Sequence, residues 1–305
     1  MSIKSKVHPI NLEFHGTFLQ IFSFLVETSE GPVIVETGPH SSNKNLIAGI
    51  EKIGYKESDI KHVLLSHVHL DHAGGAWCWA EKGADIYVHP EGYRHIHDPA
   101  KLLASAQRIY GQMMDYLWGT LKPISADKLH IIEDGQEVTI GDCTFKAIHS
   151  PGHAKHHTAW QLDNVLFTGD VAAIWMDNKA ILAPCPPPDI NIEEWIRSID
   201  KCLAIEEVDT YYLTHGSEVN NVKEHMAKLK EILKSQAAFL KPYFDKEVPL
   251  KEIYKPFGEF LSEDLLAQGI PPEKVKDYEN ANPSTANVHG IMRYWKKKSE
   301  GAFDV

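Results

Sequence analysis

The sequence predicts an α/β protein with a strand-rich body and a helical extension. Residues 9–36 have the character of short strands separated by Gly16 and Gly31, and the later strands alternate with helical stretches. From Glu218 onward the apolar residues recur at helical spacing instead. We therefore expect a strand-rich domain at residues 1–217 and a helical extension at residues 218–305.

The elements of the body are short and follow one another closely. After the opening strands, the turn at residues 37–39 leads to a helix that Ser42 can cap and that ends near Gly54. The pattern then predicts helices at 99–119 and 192–204, and strands at 61–66, 85–88, 128–132, 136–140, 142–149, 160–162, 165–168 and, as the last one, 210–213.

The extension contains a second amphipathic pattern near its end. Residues 281–298 predict a helix whose apolar stripe comprises Val288, Ile291, Met292 and Trp295. A lysine cluster at 296–298 suits the negative end of the helix dipole. We expect this helix to be docked on the body.

The charge distribution argues against polyanionic partners. The formal net charge of the 305 residues is −11, and all of it falls in residues 1–217, because residues 218–305 carry 14 basic and 14 acidic side chains. Phosphate contacts need Lys and Arg, so an acidic body disfavours nucleic acid and anionic membrane surfaces.

The cysteines and the N-terminal segment indicate the cellular compartment in which the protein is expected. The chain has four cysteines, Cys78, Cys143, Cys185 and Cys202, with no C-x-x-C spacing, which fits reduced thiols. The segment from Met1 to His15 lacks the apolar core of a signal peptide, and no run approaches the roughly 18 apolar residues of a membrane helix. We expect a cytoplasmic protein without a membrane segment.

The densest group of metal-capable side chains follows the strand predicted at 61–66. Residues 66–75 read Ser-His-Val-His-Leu-Asp-His-Ala-Gly-Gly. Imidazole nitrogens and carboxylate oxygens are the ligands that a borderline divalent metal prefers. Alternate spacing lets His67 and His69 converge on one ion, while Asp71 and His72 can turn toward a second.

Three distant segments place further metal-capable side chains at strand ends. His153 follows the strand at 142–149, Asp170 follows the strand at 165–168, and His215 follows the strand at 210–213. Each of them lies beside a glycine, where the strand gives way to a turn. Four such motifs in one chain predict a metal site assembled from all of them.

These motifs resemble those of the metallo-β-lactamase-fold hydrolases. The segment HVHLDH matches the H-x-H-x-D-H motif of that family, and the likeness covers most of residues 10–217. It implies an αββα sandwich of two mixed β-sheets, with 1–217 as the catalytic domain. Carried over residue by residue, it also implies that one metal is held by His67, His69 and His153, the other by Asp71, His72 and His215, with Asp170 bridging the two.

Departures from the family pattern narrow the expected substrate. The stretches DPAKLLASAQRIYG, APCPPPDI and YLTHG are similar to a glyoxalase-II-like branch, but VAAIWMDNK follows Asp170 in place of the Gly-Cys-Gly-Arg loop of glyoxalase II, which argues against a thiol conjugate. True zinc β-lactamases lack the bridging aspartate, which argues against antibiotic hydrolysis. Glu36 stands where the family usually has an aspartate that supports the site.

The ligand set implied by the resemblance indicates a dinuclear hydrolase of a small ester, lactone or thioester. Two dications that share one water lower its pKa to about 7 and supply a bridging hydroxide. Zinc is the expected metal, although Mn and Fe accept the same ligands. Asp71 and Asp170 are the candidate catalytic residues, Asp71 as a proton shuttle or as a ligand only.

Three alternatives remain open. A small-molecule phosphodiesterase would use the same metal pair, and a mononuclear-iron oxygenase would use two histidines and one aspartate of the same fold. A non-catalytic, metal-stabilised binding protein is the third. In every case the expected partner is a small molecule, and a homodimer is left open.

The apolar helix predicted at 99–119 lies between the first metal motif and the strand that leads to His153. The apolar stripe of this helix is wider than packing against the rest of the protein alone requires. Tyr110, Met114 and Trp118 are predicted to line a pocket for an apolar acyl or ring group, with simple core burial as the alternative. His156 and His157 are expected to be structural or to orient a ligand.

Overall fold

The structure is a computed structural model that describes residues 6–16, 19–176 and 178–303. The parts of the sequence-based predictions that fall on residues 1–5, 17–18, 177 and 304–305 lie outside these ranges. They are the start of the N-terminal segment, two residues of the strand-rich opening, one residue of the stretch after Asp170 and the last two residues of the extension.

The described strands form two six-stranded sheets and one hairpin. The first sheet contains β1 (Val7–Asn11), β2 (Phe22–Thr28), β3 (Gly31–Val35), β4 (His62–Leu64), β5 (Asp85–Val88) and β6 (Leu129–Ile131) in that order. Strands β1–β3 pair antiparallel and β3–β6 pair parallel, so this sheet is mixed.

The second sheet is mixed as well. The remaining strands are β7 (Glu137–Ile140), β8 (Cys143–His149), β9 (Thr158–Leu162), β10 (Val165–Phe167), β11 (Ile174–Met176), β12 (Ala180–Leu182), β13 (Thr210–Leu213) and β14 (Ser217–Val219). The sheet order is β14-β13-β10-β9-β8-β7, and only β10 and β13 pair parallel. Strands β11 and β12 form the separate hairpin.

The helices of the described chain cover the outer faces of the two sheets. They are α1 (Asn43–Ile53), α2 (Leu70–Ala73), α3 (Ala76–Glu81), α4 (Pro90–His97), α5 (Ala100–Tyr110), α6 (Met114–Trp118), α7 (Ile192–Leu203), α8 (Val222–Asp245), α9 (Leu250–Ala267), α10 (Val275–Ala281) and α11 (Ser284–Ser299).

The core has three layers, which confirms the αββα sandwich. On β2, Phe24 and Val26 pack between the two sheets, while Leu25 between them points to the helices α1–α6 on the other face. Successive side chains of a strand point to opposite faces, so a strand buried on both faces is apolar throughout. A third cluster joins the outer face of the second sheet to α7 and the helical extension.

Three element predictions were wrong in detail. The stretch 99–119 is not one helix, because Gly111 adopts φ 52° and separates α5 from a short 3₁₀ turn and α6. Thr210–Leu213 is not the last strand, because β14 pairs with it, and the helical part of the extension therefore begins at Val222 rather than Glu218. Ser42 precedes α1 without capping it by its side chain.

The extension packs on the body as the sequence predicts for its last helix. Val288 and Ile291 of α11 are fully buried in the same cluster as Trp195 of α7 and Leu213 of β13. Across the described ranges, none of the helices combines the length and the apolar composition that a bilayer-spanning segment needs.

Candidate metal centre

The metal-capable side chains come together where strands of both sheets end. His67 and His69 lie in the loop after β4, and Asp71 and His72 lie on the single-turn helix α2 that follows it. The second sheet contributes three residues, listed by position: His153 between β8 and β9, Asp170 in a 3₁₀ turn after β10, and His215 between β13 and β14.

The ligand atoms fall into overlapping groups, each with its atoms within 4.8 Å of one another. The first group is His67, His69 and His153, and the second is Asp71, His72 and His215. A third group, His67, His72 and Asp170, overlaps both. All seven residues named from the sequence are therefore brought together, and each group could hold a metal ion.

Asp170 lies between the first and second groups. Its Oδ2 is 3.3 Å from His153 Nε2, and its Oδ1 is 3.3 Å from His72 Nε2 and 3.6 Å from His215 Nε2. The two oxygens of one carboxylate thus face different groups, which is the arrangement that a bridging ligand requires.

The donor set fits divalent cations, as its unpartnered polar atoms indicate. His67 Nε2, both ring nitrogens of His72, and Asp170 Oδ1 are buried and have no hydrogen-bond partner in the part of the chain that the structure describes. Leaving such an atom unpaired costs about 1–3 kcal/mol, so native structures rarely leave several of them together. A divalent cation with a preference for nitrogen and oxygen would satisfy them.

Hydrogen bonds to the other ring nitrogen orient three of the histidines. His67 Nδ1 pairs with Ser66 Oγ at 2.9 Å, and Nδ1 of His153 and of His215 lie 2.9 Å from the carbonyl oxygens of Pro184 and Gln20, respectively. A carbonyl accepts, so these two rings carry their proton on Nδ1 and turn Nε2 toward the centre.

The first histidine group is held neutral. Burial, followed by the neighbouring imidazoles, lowers the pKa of His67 well below its ordinary value. The same causes, with His153 as the main neighbour, lower the pKa of His69 to about 3. A metal ligand must offer a free nitrogen lone pair, so this group is ready to bind at neutral pH.

The second group has the opposite electrostatics. Burial alone would lower the pKa of His72, but the Asp170, Asp71 and Glu36 carboxylates raise it well above its ordinary value. The pKa of His215 is raised in the same way, by Asp170 and Asp71 against burial. The histidines in turn lower the pKa of both aspartates, against the effect of burial.

The comparison with known families agrees with this geometry. A family model described as the metallo-beta-lactamase superfamily matches residues 16–215. The chain belongs to the metallo-beta-lactamase superfamily. The fold and the superfamily predicted from the sequence are thereby confirmed, while the glyoxalase-II-like branch stays a prediction. The helical extension lies outside the matched residues.

Individual members of the superfamily show where the likeness holds. The chain is 26% identical over 182 residues to a metallo-beta-lactamase fold-containing protein of Sulfurisphaera tokodaii, covering 56% of this chain and 66% of that protein. It is 34% identical over 181 residues to an N-acyl homoserine lactonase of Bacillus cereus, covering 51% of this chain and 62% of the lactonase. The chain therefore spans less than two thirds of the length of these relatives.

Two further relatives extend the comparison. A protein of Emericella nidulans named thioesterase pkgB is 26% identical over 168 residues, covering 53% of this chain and 38% of that protein. The solved structure of a metallo-beta-lactamase family protein from Thermus thermophilus has a TM-score of 0.69 at 16% identity and covers 96% of this chain and 94% of that chain. At this identity the structural likeness shows the fold alone.

Glu36 stands where the family resemblance leads us to expect an aspartate. Its Oε1 lies 3.4 Å from His72 Nδ1 and also accepts the backbone N–H of Ser66 at 3.3 Å. The longer side chain therefore still reaches the metal centre. It contacts His72, a candidate ligand whose Nδ1 has no hydrogen-bond partner among the described residues.

His156 and His157 accept backbone N–H groups beside the ligands. His157 Nε2 accepts the N–H of Asp170 at 3.0 Å, and His156 Nδ1 accepts the N–H of Val68 at 3.4 Å. Both rings are buried, and burial lowers both pKa values well below the ordinary value. They hold the backbone that carries Asp170 and the His67–His69 segment.

The three predicted pocket residues lie together but differ in exposure. Met114 and Trp118 are buried in the cluster beneath the first sheet, and Trp118 stacks on Phe14 with ring centroids 5.5 Å apart. The Tyr110 ring meets the edge of Trp118 at 5.0 Å and is 36% exposed. The pKa of the Tyr110 phenol is raised, first by burial and then by the Asp71 carboxylate.

The sequence pattern contains no signal for the supports that are main-chain groups. The carbonyls of Pro184 and Gln20 orient His153 and His215, and any residue type could supply them. Trp195 of α7 is a further support, because its ring lies 5.3 Å from that of His153 and its Nε1 donates to the Val171 carbonyl. A buried tryptophan in an amphipathic helix indicates only core packing from sequence.

Proposed function

We propose that this chain is a metal-dependent hydrolase that cleaves a small ester, lactone or thioester at a dinuclear centre. The observation that carries the proposal is the position of Asp170, whose two carboxylate oxygens face different histidine groups at 3.3 Å. When bound, a pair of divalent cations would supply an activated water at neutral pH and polarise the carbonyl oxygen of the substrate. We propose zinc as the metal.

The roles of the side chains follow from the groups in which they lie. His67, His69 and His153 would hold one cation, and Asp71, His72 and His215 the other, with Asp170 shared. Asp71 is more open to solvent than Asp170, since its side chain is 22% exposed against 4%. We assign to Asp71, besides ligation, the transfer of a proton between the site and the substrate.

The carbonyl-ester class is favoured over phosphodiesters by the names of the relatives. One matched protein is named a lactonase and another a thioesterase. Both names denote hydrolysis at an acyl carbon.

An apolar part of the substrate would lie along residues 109–116. Ile109, Tyr110, Met113 and Tyr116 are 54%, 36%, 49% and 56% exposed, and only Ile131 and Leu266 join them among the large exposed apolar side chains of the described ranges. A group of exposed apolar side chains in one short segment is typical of a binding surface. We propose that it receives the acyl or ring group of the substrate, with Tyr110, Met114 and Trp118 forming the wall nearest the metal centre.

A substrate panel tests the proposal. Protein of known metal content is assayed on esters, lactones, thioesters and phosphodiesters, before and after removal of metal with a chelator. We expect turnover of at least one carbonyl class, lost on chelation and restored by zinc. Turnover of phosphodiesters alone would establish the rival function, and consumption of oxygen by iron-loaded protein would establish an oxygenase.

A further inference from the structure

We propose that Asn287 of the helical extension is a positioning residue for the metal centre, acting through the Pro184 carbonyl on His153. The proposal rests on the proposed role of His153 as a metal ligand. It assigns a function to a part of the chain that lies outside the residues matched by the family model.

The amide of Asn287 holds the segment at 183–185 from both sides of Pro184. Its Oδ1 accepts the backbone N–H of Cys185 at 2.8 Å, and its Nδ2 donates to the carbonyl of Ala183 at 3.4 Å. Asn287 is fully buried on α11, so these bonds are not in competition with water. Proline has no N–H, so the segment is fixed through its two neighbours.

The carbonyl between these two anchors is the one that orients His153. His153 Nδ1 donates to the Pro184 oxygen at 2.9 Å, and this bond fixes both the tautomer and the plane of the ring. The opposite nitrogen, Nε2, then points at His69 Nδ1 and Asp170 Oδ2, at 3.0 and 3.3 Å. A rotation of the 184–185 peptide would therefore turn His153 away from the centre.

A close approach of α11 to the same segment supports the assignment independently. A Cβ atom added to Gly290 would lie 1.9 Å from the Cys185 carbonyl oxygen, so only glycine lets the helix backbone come this near. Gly290 lies one turn after Asn287 on the same helix. The backbone of α11 therefore packs directly against the segment that carries the Pro184 carbonyl.

The other polar contacts of α11 to this region lie further from the centre. Arg293 Nε and Lys297 Nζ both donate to the Pro188 carbonyl, at 3.2 and 2.8 Å, and both bonds are exposed. They can hold the helix against the body, but they do not touch the segment at 183–185. Asn287 is therefore the residue through which α11 reaches His153.

Two pairs of substitutions separate positioning from general stability. Asn287→Ala removes both bonds, whereas Val288→Ala, at the next and equally buried position, removes packing but no hydrogen bond to the segment. Gly290→Ala forces α11 away from Cys185, whereas Gly258→Ala in α9 is the matched control, because its added Cβ would meet only Ser284 Oγ at 3.5 Å. Alanine is otherwise the better helix former, so Gly258→Ala should not destabilise the chain.

The measurements are the Zn²⁺ affinity by competition with a chromophoric chelator and the His153 Nδ1–H resonance in ¹⁵N-histidine-labelled protein. Outer hydrogen-bond partners of metal ligands typically contribute 10–100-fold in affinity. We expect Asn287→Ala and Gly290→Ala to weaken Zn²⁺ binding by about tenfold and to shift the His153 resonance. Val288→Ala should lower the melting temperature and leave both readouts as in the unmodified chain.

Two results would overturn the proposal. One is a lower melting temperature in Asn287→Ala or Gly290→Ala with unchanged Zn²⁺ affinity and an unchanged His153 resonance. The other is an equal loss of affinity in Val288→Ala and Gly258→Ala. Neither measurement uses a substrate, so weakened binding in a chain that hydrolyses no substrate of the panel would contradict the proposed function while supporting this role of Asn287.

Discussion

Glu36 Oε1 lies 3.4 Å from His72 Nδ1, and both side chains are almost wholly buried. Glu36 adopts φ 65°, in the left-handed region that a residue with a Cβ occupies at a cost of about 1–3 kcal/mol. The surrounding bonds hold it there: its N–H donates to the Leu64 carbonyl at 3.0 Å, and its own carbonyl accepts the Ser23 hydroxyl at 2.7 Å. The strained backbone places a carboxylate directly behind a metal-capable histidine.

Replacement of this carboxylate should weaken metal binding. Glu36→Gln keeps an acceptor for the Ser66 N–H but removes the negative charge that raises the pKa of His72. We expect about a tenfold loss in Zn²⁺ affinity, measured by chelator competition. Glu51→Gln on the exposed face of α1 is the control, and equal affinities of the two variants would exclude a role of Glu36 at the metal centre.

The apolar surface at 109–116 should govern selectivity for the size of the acyl group. Tyr110→Ala is expected to lower kcat/KM for long acyl esters at least tenfold and to have little effect on acetyl esters, because only the former reach this surface. Ile131→Ala, which removes another exposed apolar side chain (45% against 36% for Tyr110) from β6, is the control. The same dependence on acyl length in both variants would contradict the assignment.

Substitutions of Met114 and Trp118 should affect stability as well as the kinetics of ester hydrolysis. Both are buried, so replacing either with alanine should cost about 2–5 kcal/mol of the free energy of unfolding in addition to any effect on substrate. Kinetics should therefore be measured below the melting temperature of each variant. Normal kcat/KM in the folded variants would assign both residues to the core alone.

Removal of the last helix should destabilise the whole chain. A chain truncated before Ala281 loses the buried Val288, Ile291 and Tyr294 and uncovers their partners. At about 1.5–3 kcal/mol for each fully buried side chain, we expect the melting temperature to fall by at least about 10 °C. An unchanged melting temperature would show that α11 is not docked as the structure has it.

Metal binding should release protons in a manner that depends on pH. The pKa values of His72 and His215 are raised, so both are protonated at a pH near the ordinary pKa of histidine. The pKa values of the first group, His67, His69 and His153, are lowered, so these are neutral at the same pH. A ligand nitrogen must be deprotonated, so zinc affinity should rise with pH until His72 and His215 have lost their protons.

Calorimetry in buffers of different ionisation enthalpy measures this release. We expect up to two protons per chain at about pH 6 and a smaller number at about pH 9. An equal number of released protons at both values would contradict the assignment of the charged histidines to the second group. The release is measured on protein stripped of metal and titrated with zinc.

The metal-capable residues could be predicted from the sequence because histidine or aspartate stands beside a glycine at four strand ends. His67, His153, Asp170 and His215 are far apart in the chain, yet strands of the sandwich end at the same edge and bring them together. The helix lengths were harder to predict from the sequence. The break at Gly111 depends on a positive φ that an apolar stripe continuing through α6 does not reveal.

What the sequence could not reveal is the set of backbone contacts that orient the ligands. The Pro184 carbonyl that faces His153 lies between two peptides held by Asn287, about a hundred residues later, and Asn282 also donates to one of them, at the Ala183 carbonyl. No pattern of residue types records such a contact. The hairpin of β11 and β12 escaped prediction for a related reason, since its three-residue strands are too short for an alternating pattern to be distinguished.

The most direct test of the account is the metal content of Asp170→Ala together with its turnover. Bound metal is counted by mass spectrometry in this variant and in the unmodified chain, and both are assayed on the best substrate of the panel. We expect close to two ions per unmodified chain, a clear loss of metal in the variant, and a fall in kcat/KM beyond the roughly 100-fold that outer partners contribute. Full metal occupancy with near-normal turnover in Asp170→Ala would contradict the bridging role and with it the proposed dinuclear centre.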